Sequence, residues 1–151
     1  MKSNRMPLII GILFVIFCCI SVFVGFLYFQ TRPPGRLSDS GYYVRITKVY
    51  YYPGFGLSEP FEIENAHVST FEILDELGQY AKDKNHVYFQ GAIIPEADPQ
   101  TFSVLNENYN CAVDANHAYQ RDNTIPDFNP NIIPANATVT YCSPDEILFT
   151  P

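Results

Sequence analysis

The hydrophobic pattern of the chain begins with one long apolar run. From Pro7 to Phe29 every residue is apolar or small apart from Ser21, and no charged residue interrupts the run. With a rise of about 1.5 Å per residue, an α-helix of this length crosses a hydrocarbon layer of roughly 30 Å. The pattern predicts a transmembrane anchor over residues 7–29, preceded by a short cytoplasmic tail over residues 1–6.

Two other interpretations of the apolar run fit less well. A cleaved signal peptide has an apolar region of roughly 7 to 15 residues that ends in a small-residue site. This run is longer, and no such site follows it in residues 28–34. Lipid attachment at Cys18 is disfavoured because the residues before it, 15–17, lack the small residue of a bacterial lipobox.

Charges on the two sides of the run nearly balance. Lys2 and Arg5 precede it, and Arg32 and Arg36 follow it. The positive-inside rule therefore sets the orientation only weakly. Because the N-terminal tail is short and no second span follows, we expect the tail in the cytoplasm and the rest of the chain outside it.

After the anchor, the pattern changes to short segments with strand composition. Residues 30–41 are rich in Pro, Gly and Ser, which is typical of a linker. Residues 42–52 are β-branched and aromatic, so we predict a first strand there, ended by a turn at residues 53–56. The folded domain is expected to cover residues 42–151.

The pattern of this domain repeats with a period of thirty-one residues. When residues 66–88 are compared with residues 97–119, ten of the twenty-three positions are identical. The central motif, Asp-x-Asn-His-x-Tyr, occurs at residues 83–88 and again at residues 114–119. A fixed period of this length indicates structural repeats.

Each repeat reads as a β-meander joined to a short helix. Asp98 followed by Pro99 suits a helix start, and Phe102 and Leu105 lie three residues apart on one face of that helix. Three short strand segments follow, separated by turn residues. The predicted fold class is α+β, mostly β: a transmembrane helix followed by a small domain of repeats of about thirty-one residues.

Degraded copies are predicted on both sides of the two clear repeats. Cys142 and Asp145 lie one period after Cys111 and Asp114. Residues 48–51 resemble residues 86–89 at a longer spacing, as though the Pro-Gly stretch were an insertion. Weak terminal copies are typical of repeat proteins, whose ends meet solvent.

The Asp-x-Asn-His motifs are the sharpest candidates for chemistry. Their carboxylate, amide and imidazole groups could bind calcium or zinc, but residues 83–96 lack the ligand spacing of a calcium loop. A structural turn explains Asp and Asn without a metal, and we predict no metal and no cofactor. The candidate residues of this turn or site are Asp83, Asn85, His86, Tyr88, Asp114, Asn116, His117 and Tyr119.

The four cysteines fall into two pairs. Cys18 and Cys19 lie within the apolar run, where they act as small hydrophobic residues. Cys111 and Cys142 lie one period apart, so stacked repeats would place them side by side. We predict a disulfide, worth roughly 3 kcal/mol in the chain-entropy model and typical of an oxidising compartment. The alternative is two free thiols in a cytoplasmic domain.

Net charge and the distribution of aromatic residues limit the kinds of partner that the domain could bind. All sixteen acidic residues but only seven of the nine basic ones follow residue 29, which gives that part a formal charge of −9. An acidic domain without a basic stripe disfavours nucleic-acid binding. A less repetitive aromatic cluster is the predicted binding surface, and its members are Tyr42, Tyr43, Tyr50, Tyr51, Tyr52 and Phe55.

The segment Tyr-Ala-Lys-Asp-Lys-Asn-His-Val-Tyr-Phe-Gln-Gly at residues 80–91, followed by Ala-Asp-Pro-Gln-Thr-Phe at residues 97–102, resembles the DKNYY family of bacterial proteins. The resemblance covers residues 66–119. It departs from the family motif where His86 and His117 occupy the first tyrosine position and Ala115 replaces lysine. It implies a bacterial, often envelope-associated repeat domain and transfers no activity and no catalytic residues.

Two function classes follow. The leading hypothesis is a single-pass inner-membrane protein, held in the membrane by residues 7–29, whose periplasmic domain binds an unknown protein or envelope component, as an immunity, inhibitor or accessory protein would. The alternative is a metal-dependent hydrolase that uses Asp83, His86, Asp114 and His117. The sequence shows no nucleophile elbow, phosphate-binding loop or HExxH motif, and we predict no enzyme.

Overall fold

The computed structural model describes residues 6–35, 38–54, 56, 58–134 and 137–150. The chain divides into two compact parts, residues 1–32 and residues 33–151. Most of the predicted tail, Phe55 of the aromatic cluster, and Arg36 of the linker lie outside the described residues.

The first part contains one long helix, α1 (Met6–Thr31). It begins one residue before the predicted anchor and ends two residues after it. From Ile9 onward it is apolar and long enough to cross a membrane, and its side chains are not buried by protein. The hydroxyl of Ser21 donates to the carbonyl of Phe17 at 2.9 Å, so the polar group inside the run is satisfied within the helix.

The second part is built from short antiparallel strands in four small sheets. We number the sheets repeats 1 to 4 in chain order. The strands of repeat 1 are β1 (Gly41–Val44), β2 (Val49–Tyr52) and β3 (Phe61–Glu62). Those of repeat 2 are β4 (Glu72–Ile73), β5 (Tyr80–Lys82), β6 (Val87–Phe89) and β7 (Ala92–Ile93). Those of repeat 3 are β8 (Ser103–Asn106), β9 (Cys111–Val113), β10 (Ala118–Gln120) and β11 (Asn123–Thr124). Repeat 4 has β12 (Thr138–Cys142) and β13 (Ile147–Thr150).

The mostly β repeat fold is therefore confirmed, and its helical element is smaller than predicted. The described helices of the repeat domain are single 3₁₀ turns at Val68–Thr70 and Pro130–Ile132. In repeat 3 a turn at residues 99–101 stands in place of the expected helix. Leu105, which was expected on that helix, lies in β8. Because β8 pairs with β9, backbone hydrogen bonds across the sheet outweigh the helical spacing of Phe102 and Leu105. This extra strand also makes the meander four-stranded.

Every sheet contains the same central hairpin turn. The N–H group of its first residue donates to the carbonyl of its fourth residue at 2.8 or 2.9 Å. The four turns are Arg45–Lys48, Asp83–His86, Asp114–His117 and Ser143–Glu146. The domain thus contains four copies of one hairpin.

Two details of the terminal copies correct the sequence interpretation. The single strand expected over residues 42–52 is a hairpin, β1 and β2, joined by the Arg45–Lys48 turn. This turn lacks the Gly, Asn or Asp that normally marks one. In repeat 4 the turn begins at Ser143, so Asp145 corresponds to Asn116 and not to Asp114. The expected insertion in repeat 1 is present, as the loop between Tyr52 and Phe61.

The core lies between successive sheets, with one hydrophobic cluster at each junction. Repeats 1 and 2 bury Tyr51 and Tyr88 in a shared cluster. Repeats 2 and 3 bury Phe89 and Phe102 in the next. Repeats 3 and 4 share a third cluster that contains Ile125. Because sheets of two to four strands cannot bury both faces alone, each repeat depends on its neighbours.

Gly91 shows how closely two repeats approach. Its φ of +84° and the φ of +49° at Gln90 form the tight turn between β6 and β7. A Cβ atom at Gly91 would lie 2.8 Å from the Cβ atom of Tyr51 and 2.8 Å from the ring of Phe61, both in repeat 1. No side chain fits there.

We predict that Gly91→Ala destabilises the domain by about 2 to 4 kcal/mol, because it adds overpacking to the strain of a positive φ. Gly56→Ala is the matched control, since Gly56 also has a positive φ, +79°, but no atom lies within 4 Å of its Cβ position. The control should cost about 1 kcal/mol. Urea unfolding of the full chain in detergent, followed by near-ultraviolet circular dichroism of its eleven tyrosines, measures both; equal costs would contradict the packing argument.

Candidate functional site

The motif at residues 83–88 forms a closed hydrogen-bond network around Asp83. Its Oδ1 atom accepts hydrogen bonds from the backbone N–H groups of Asn85 and His86, at 2.7 and 2.8 Å. Its Oδ2 atom accepts from the N–H group of His67 at 2.7 Å and from the hydroxyl of Tyr88 at 2.9 Å. The carboxylate therefore closes the hairpin turn and also fixes the segment that arrives from repeat 1.

The motif at residues 114–119 repeats this network around Asp114. Oδ1 accepts from the N–H groups of Asn116 and His117 at 2.8 and 2.7 Å. Oδ2 accepts from the N–H group of Asp98 at 3.0 Å and from the hydroxyl of Tyr119 at 2.7 Å. Equal geometry in two copies is what a structural role requires.

A threonine beside each carboxylate completes the arrangement. The hydroxyl oxygen of Thr70 accepts from the N–H group of Lys84 at 3.1 Å, and that of Thr101 accepts from the N–H group of Ala115 at 3.0 Å. Asp98 also accepts from the N–H group of Gln100 at 2.9 Å, so it caps the turn that stands in place of the expected helix. In the earlier copy His67 makes no such cap.

These bonds decide the protonation of the two carboxyl groups. Burial opposes ionisation and alone would raise the pKa of Asp83 and Asp114. The three backbone N–H donors and the tyrosine hydroxyl outweigh burial, so the pKa of each carboxyl lies below its ordinary value. Burial, and then the adjacent carboxylate, raises the pKa of Tyr88 and Tyr119 well above the ordinary value of a phenol.

The two motifs do not form a joint site. Asp83 and Asp114 are 3 % and 4 % exposed, and each is bonded in its own turn. The rings of His86 and His117 lie edge-on to Tyr88 and Tyr119, in each case with 6.1 Å between ring centroids. Over the described parts of the chain, no group of three or more His, Cys, Asp and Glu side chains could hold a metal ion. The hydrolase alternative needs converging, accessible carboxylates, and this geometry does not supply them.

Most described residues of the aromatic cluster are buried rather than exposed to solvent. Tyr42, Tyr50, Tyr51 and Tyr52 are buried, and Tyr43 is half-buried. The idea that they form an exposed binding surface is therefore wrong for these four tyrosines. Tyr42 and Tyr51 pack in the hydrophobic cluster of the first junction, where large aromatic rings remove much apolar area from water.

Tyr42 and Tyr80 have a role that the sequence did not reveal. The hydroxyl of Tyr42 donates to the carbonyl of Gln79 and accepts from the N–H group of Gly91, both at 3.0 Å. The hydroxyl of Tyr80 lies 2.6 Å from the carbonyl oxygen of Asn110 and 3.0 Å from that of Arg121. Each tyrosine thus ties its own repeat to the backbone of the next.

The predicted disulfide joins Cys111 to Cys142, with 6.1 Å between their Cα atoms. The two cysteines were expected to pair because they would occupy equivalent positions of two repeats. Their positions are not strictly equivalent, because the turns of repeats 3 and 4 are twenty-nine residues apart, from Asp114 to Ser143, and not thirty-one. A register shift between Val139 and Tyr141 in β12 accompanies this change. Cys18 and Cys19 are free thiols exposed on α1.

An open concave surface lies between repeats 2 and 3. A groove of about 680 Å³ is lined by residues 73–76 and by residues 104–108. Its walls carry Ile73 and Val104 at equivalent positions, and the acidic residues Glu76 and Glu107 one period apart. Sequence reasoning missed this groove, although the recurrence of these two pairs was visible. We call it the inter-repeat groove.

Comparisons with known proteins agree with the repeat geometry. The sequence model of the DKNYY family matches residues 42–100 and again residues 87–144. Neither a curated protein nor a solved structure matches the chain.

We predict that Asp114→Asn destabilises the domain by about 2 kcal/mol at neutral pH, because the amide nitrogen replaces the Oδ2 acceptor and leaves the partly buried N–H group of Asp98 without its partner. A protonated Asp114 has the same defect. Its folded-state pKa is below the unfolded value, so its contribution is present above the unfolded pKa, near 3.9, and is lost as the pH falls through the folded pKa.

The stability difference between the wild-type chain and Asp114→Asn should therefore close as the solution is acidified. Asp145→Asn is the matched control, since it removes an exposed carboxylate of the fourth turn, and it should follow the wild type at every pH. Urea unfolding as a function of pH measures all three proteins. A difference that stays constant down to strongly acidic pH would contradict the ionised-carboxylate explanation.

Proposed function

The chain belongs to the DKNYY family, and we propose that it is a single-pass protein of the bacterial inner membrane whose periplasmic repeat domain binds a protein or another envelope component. The inter-repeat groove carries this proposal. It is an open concave surface that the folding network of the two Asp motifs does not use. A role as an immunity, inhibitor or accessory protein fits such a module.

The membrane part of the proposal rests on α1 and on the disulfide. Helix α1 is apolar and long enough to span a bilayer. The disulfide between Cys111 and Cys142 suggests an oxidising compartment for the domain. Together they support a cytoplasmic N-terminus and a periplasmic domain.

The groove combines the chemistry that a specific partner needs. Ile73 is 43 % exposed and offers apolar contact on one wall. Glu76 is exposed, and Glu107 accepts a hydrogen bond from the N–H group of Glu76 at 3.0 Å, which holds the two walls together at this point. The groove thus places apolar contacts at Ile73 and Val104 beside acidic groups, and protein-binding surfaces combine both. We propose that the partner presents basic groups to these acidic groups.

Photocrosslinking in intact cells tests the binding surface. A photoreactive residue at Ile73 should give a discrete adduct, whereas one at Leu148, which is similarly exposed at 49 % in repeat 4, should give none. In the Ile73-labelled chain, Glu76→Lys should reduce the adduct about tenfold, because it costs roughly 1.4 kcal/mol of interaction with a basic partner.

Glu146→Lys is the matched charge control, because it makes the same change on an exposed residue of the fourth turn, and it should leave the adduct unchanged. Adducts of equal yield from both labelled positions, or no adduct at Ile73, would refute the groove as the binding surface. Equal losses from both lysine variants would show only a general response to net charge.

Membrane topology is tested separately with protease. Protease added outside spheroplasts should digest the repeat domain, because the proposal places residues 42–151 in the periplasm. Cells opened with detergent provide the control for total susceptibility. Full protection in intact spheroplasts, with digestion only after opening, would overturn the proposed orientation.

A further inference from the structure

The three junctions between repeats are tied at one equivalent position. At the first junction the tie is the hydroxyl of Tyr42, and at the second it is the hydroxyl of Tyr80. These residues lie three positions before the turns that start at Arg45 and Asp83. Cys111 lies three positions before the turn at Asp114, and its tie to repeat 4 is the covalent bond to Cys142.

The third junction lacks the central aromatic ring that the other two junctions share. The ring of Phe71 lies 5.5 Å from the rings of both Tyr42 and Tyr88. The ring of Phe102 likewise lies between Tyr80 and Tyr119, at 5.7 and 5.5 Å. The position one period after Phe102 is Ile133, which is only partly buried against the third cluster. Ile133 makes no ring contact of this kind. The ring contact that joins repeats 3 and 4, between Tyr109 and Tyr141 at 5.8 Å, lies at the surface, since both side chains are exposed.

The turn of repeat 4 is also less well anchored. Ser143 occupies the place of the buried carboxylate, and its hydroxyl accepts from the N–H groups of Asp145 and Glu146 at 3.4 and 3.2 Å. The corresponding distances around Asp114 are 2.8 and 2.7 Å. Repeat 4 is a two-stranded hairpin, and an isolated hairpin of this kind is marginally stable in water.

From these differences we infer that the Cys111–Cys142 disulfide is a redox latch for repeat 4. When a dithiol reductant attacks, one of its thiolates displaces a cysteine thiolate and forms a mixed disulfide. Its second thiol then displaces the other cysteine. The chain gains two electrons and two protons as two thiols, and the reductant leaves as its own disulfide.

Reduction releases repeat 4 and leaves repeats 1 to 3 folded. Their two junction clusters contain no residue of repeat 4. Release uncovers Ala118 and Ile125, which are buried at the third junction in the oxidised protein. It also breaks the hydrogen bond from the Asn106 side chain to the carbonyl of Val139, 2.9 Å long, on a wall of the inter-repeat groove. The latch does not depend on what the groove binds.

Hydrogen exchange with mass-spectrometric detection tests the latch on the full chain in detergent. After reduction with dithiothreitol, amides of β12 and β13 should exchange about two orders of magnitude faster, as expected for loss of a crosslink that closes a loop of this size. Amides of β5, β6, β9 and β10 should keep their protection.

Two variants make the result specific. Cys111→Ser with Cys142→Ser should show the fast exchange of repeat 4 with or without dithiothreitol. Cys18→Ser with Cys19→Ser, which removes the only other cysteines of the chain, should behave as the wild type. Unchanged exchange of β12 and β13 after confirmed reduction would overturn the latch, and so would loss of protection throughout repeats 1 to 3.

Discussion

The structure of the repeat domain depends on one interaction, the buried carboxylate that accepts three backbone N–H groups and a tyrosine hydroxyl. Two of those N–H groups belong to the hairpin turn, at Asn85 and His86 for Asp83. The third, from His67, belongs to the segment that arrives from the preceding sheet. One side chain therefore sets both the turn and the path of the chain into it. Repeats 2 and 3 keep this bond set at the same positions, and the thirty-one-residue period holds between their turns.

The two ends of the stack show what happens without that interaction. Repeat 1 has Arg45 at the turn position, and repeat 4 has Ser143. Repeat 1 offsets the change with a buried tyrosine cluster and with the hydroxyl of Tyr42, which reaches the next sheet. Repeat 4 has fewer strands and smaller buried side chains, and it is held by the disulfide. The two ends that lack the buried carboxylate are therefore joined to the stack differently: repeat 1 by a tyrosine hydrogen bond and repeat 4 by a disulfide.

Sequence reasoning succeeded where one residue type has one dominant physical role. Asp and Asn at a tight turn, an apolar run long enough for a bilayer, and two cysteines near one period apart each pointed to the observed structure. It failed where the outcome depends on the neighbouring sheet. The Arg45–Lys48 turn carries no local signal, and Tyr51 has the same composition signal whether it covers a junction or faces solvent. Leu105 fitted a helix until the pairing of β8 with β9 was known.

The same distinction bears on where the proposed binding surface lies within the repeats. Residues that recur because folding needs them, such as Asp114 and Tyr119, are occupied by bonds inside their own repeat. Under the proposed function, the partner uses positions that the carboxylate network leaves exposed, such as Ile73 on the first strand of repeat 2. Repetition places such positions side by side, so a groove forms between two repeats without any residue being dedicated to it. Under the same proposal, changes at such positions would alter the binding surface and leave the carboxylate network intact.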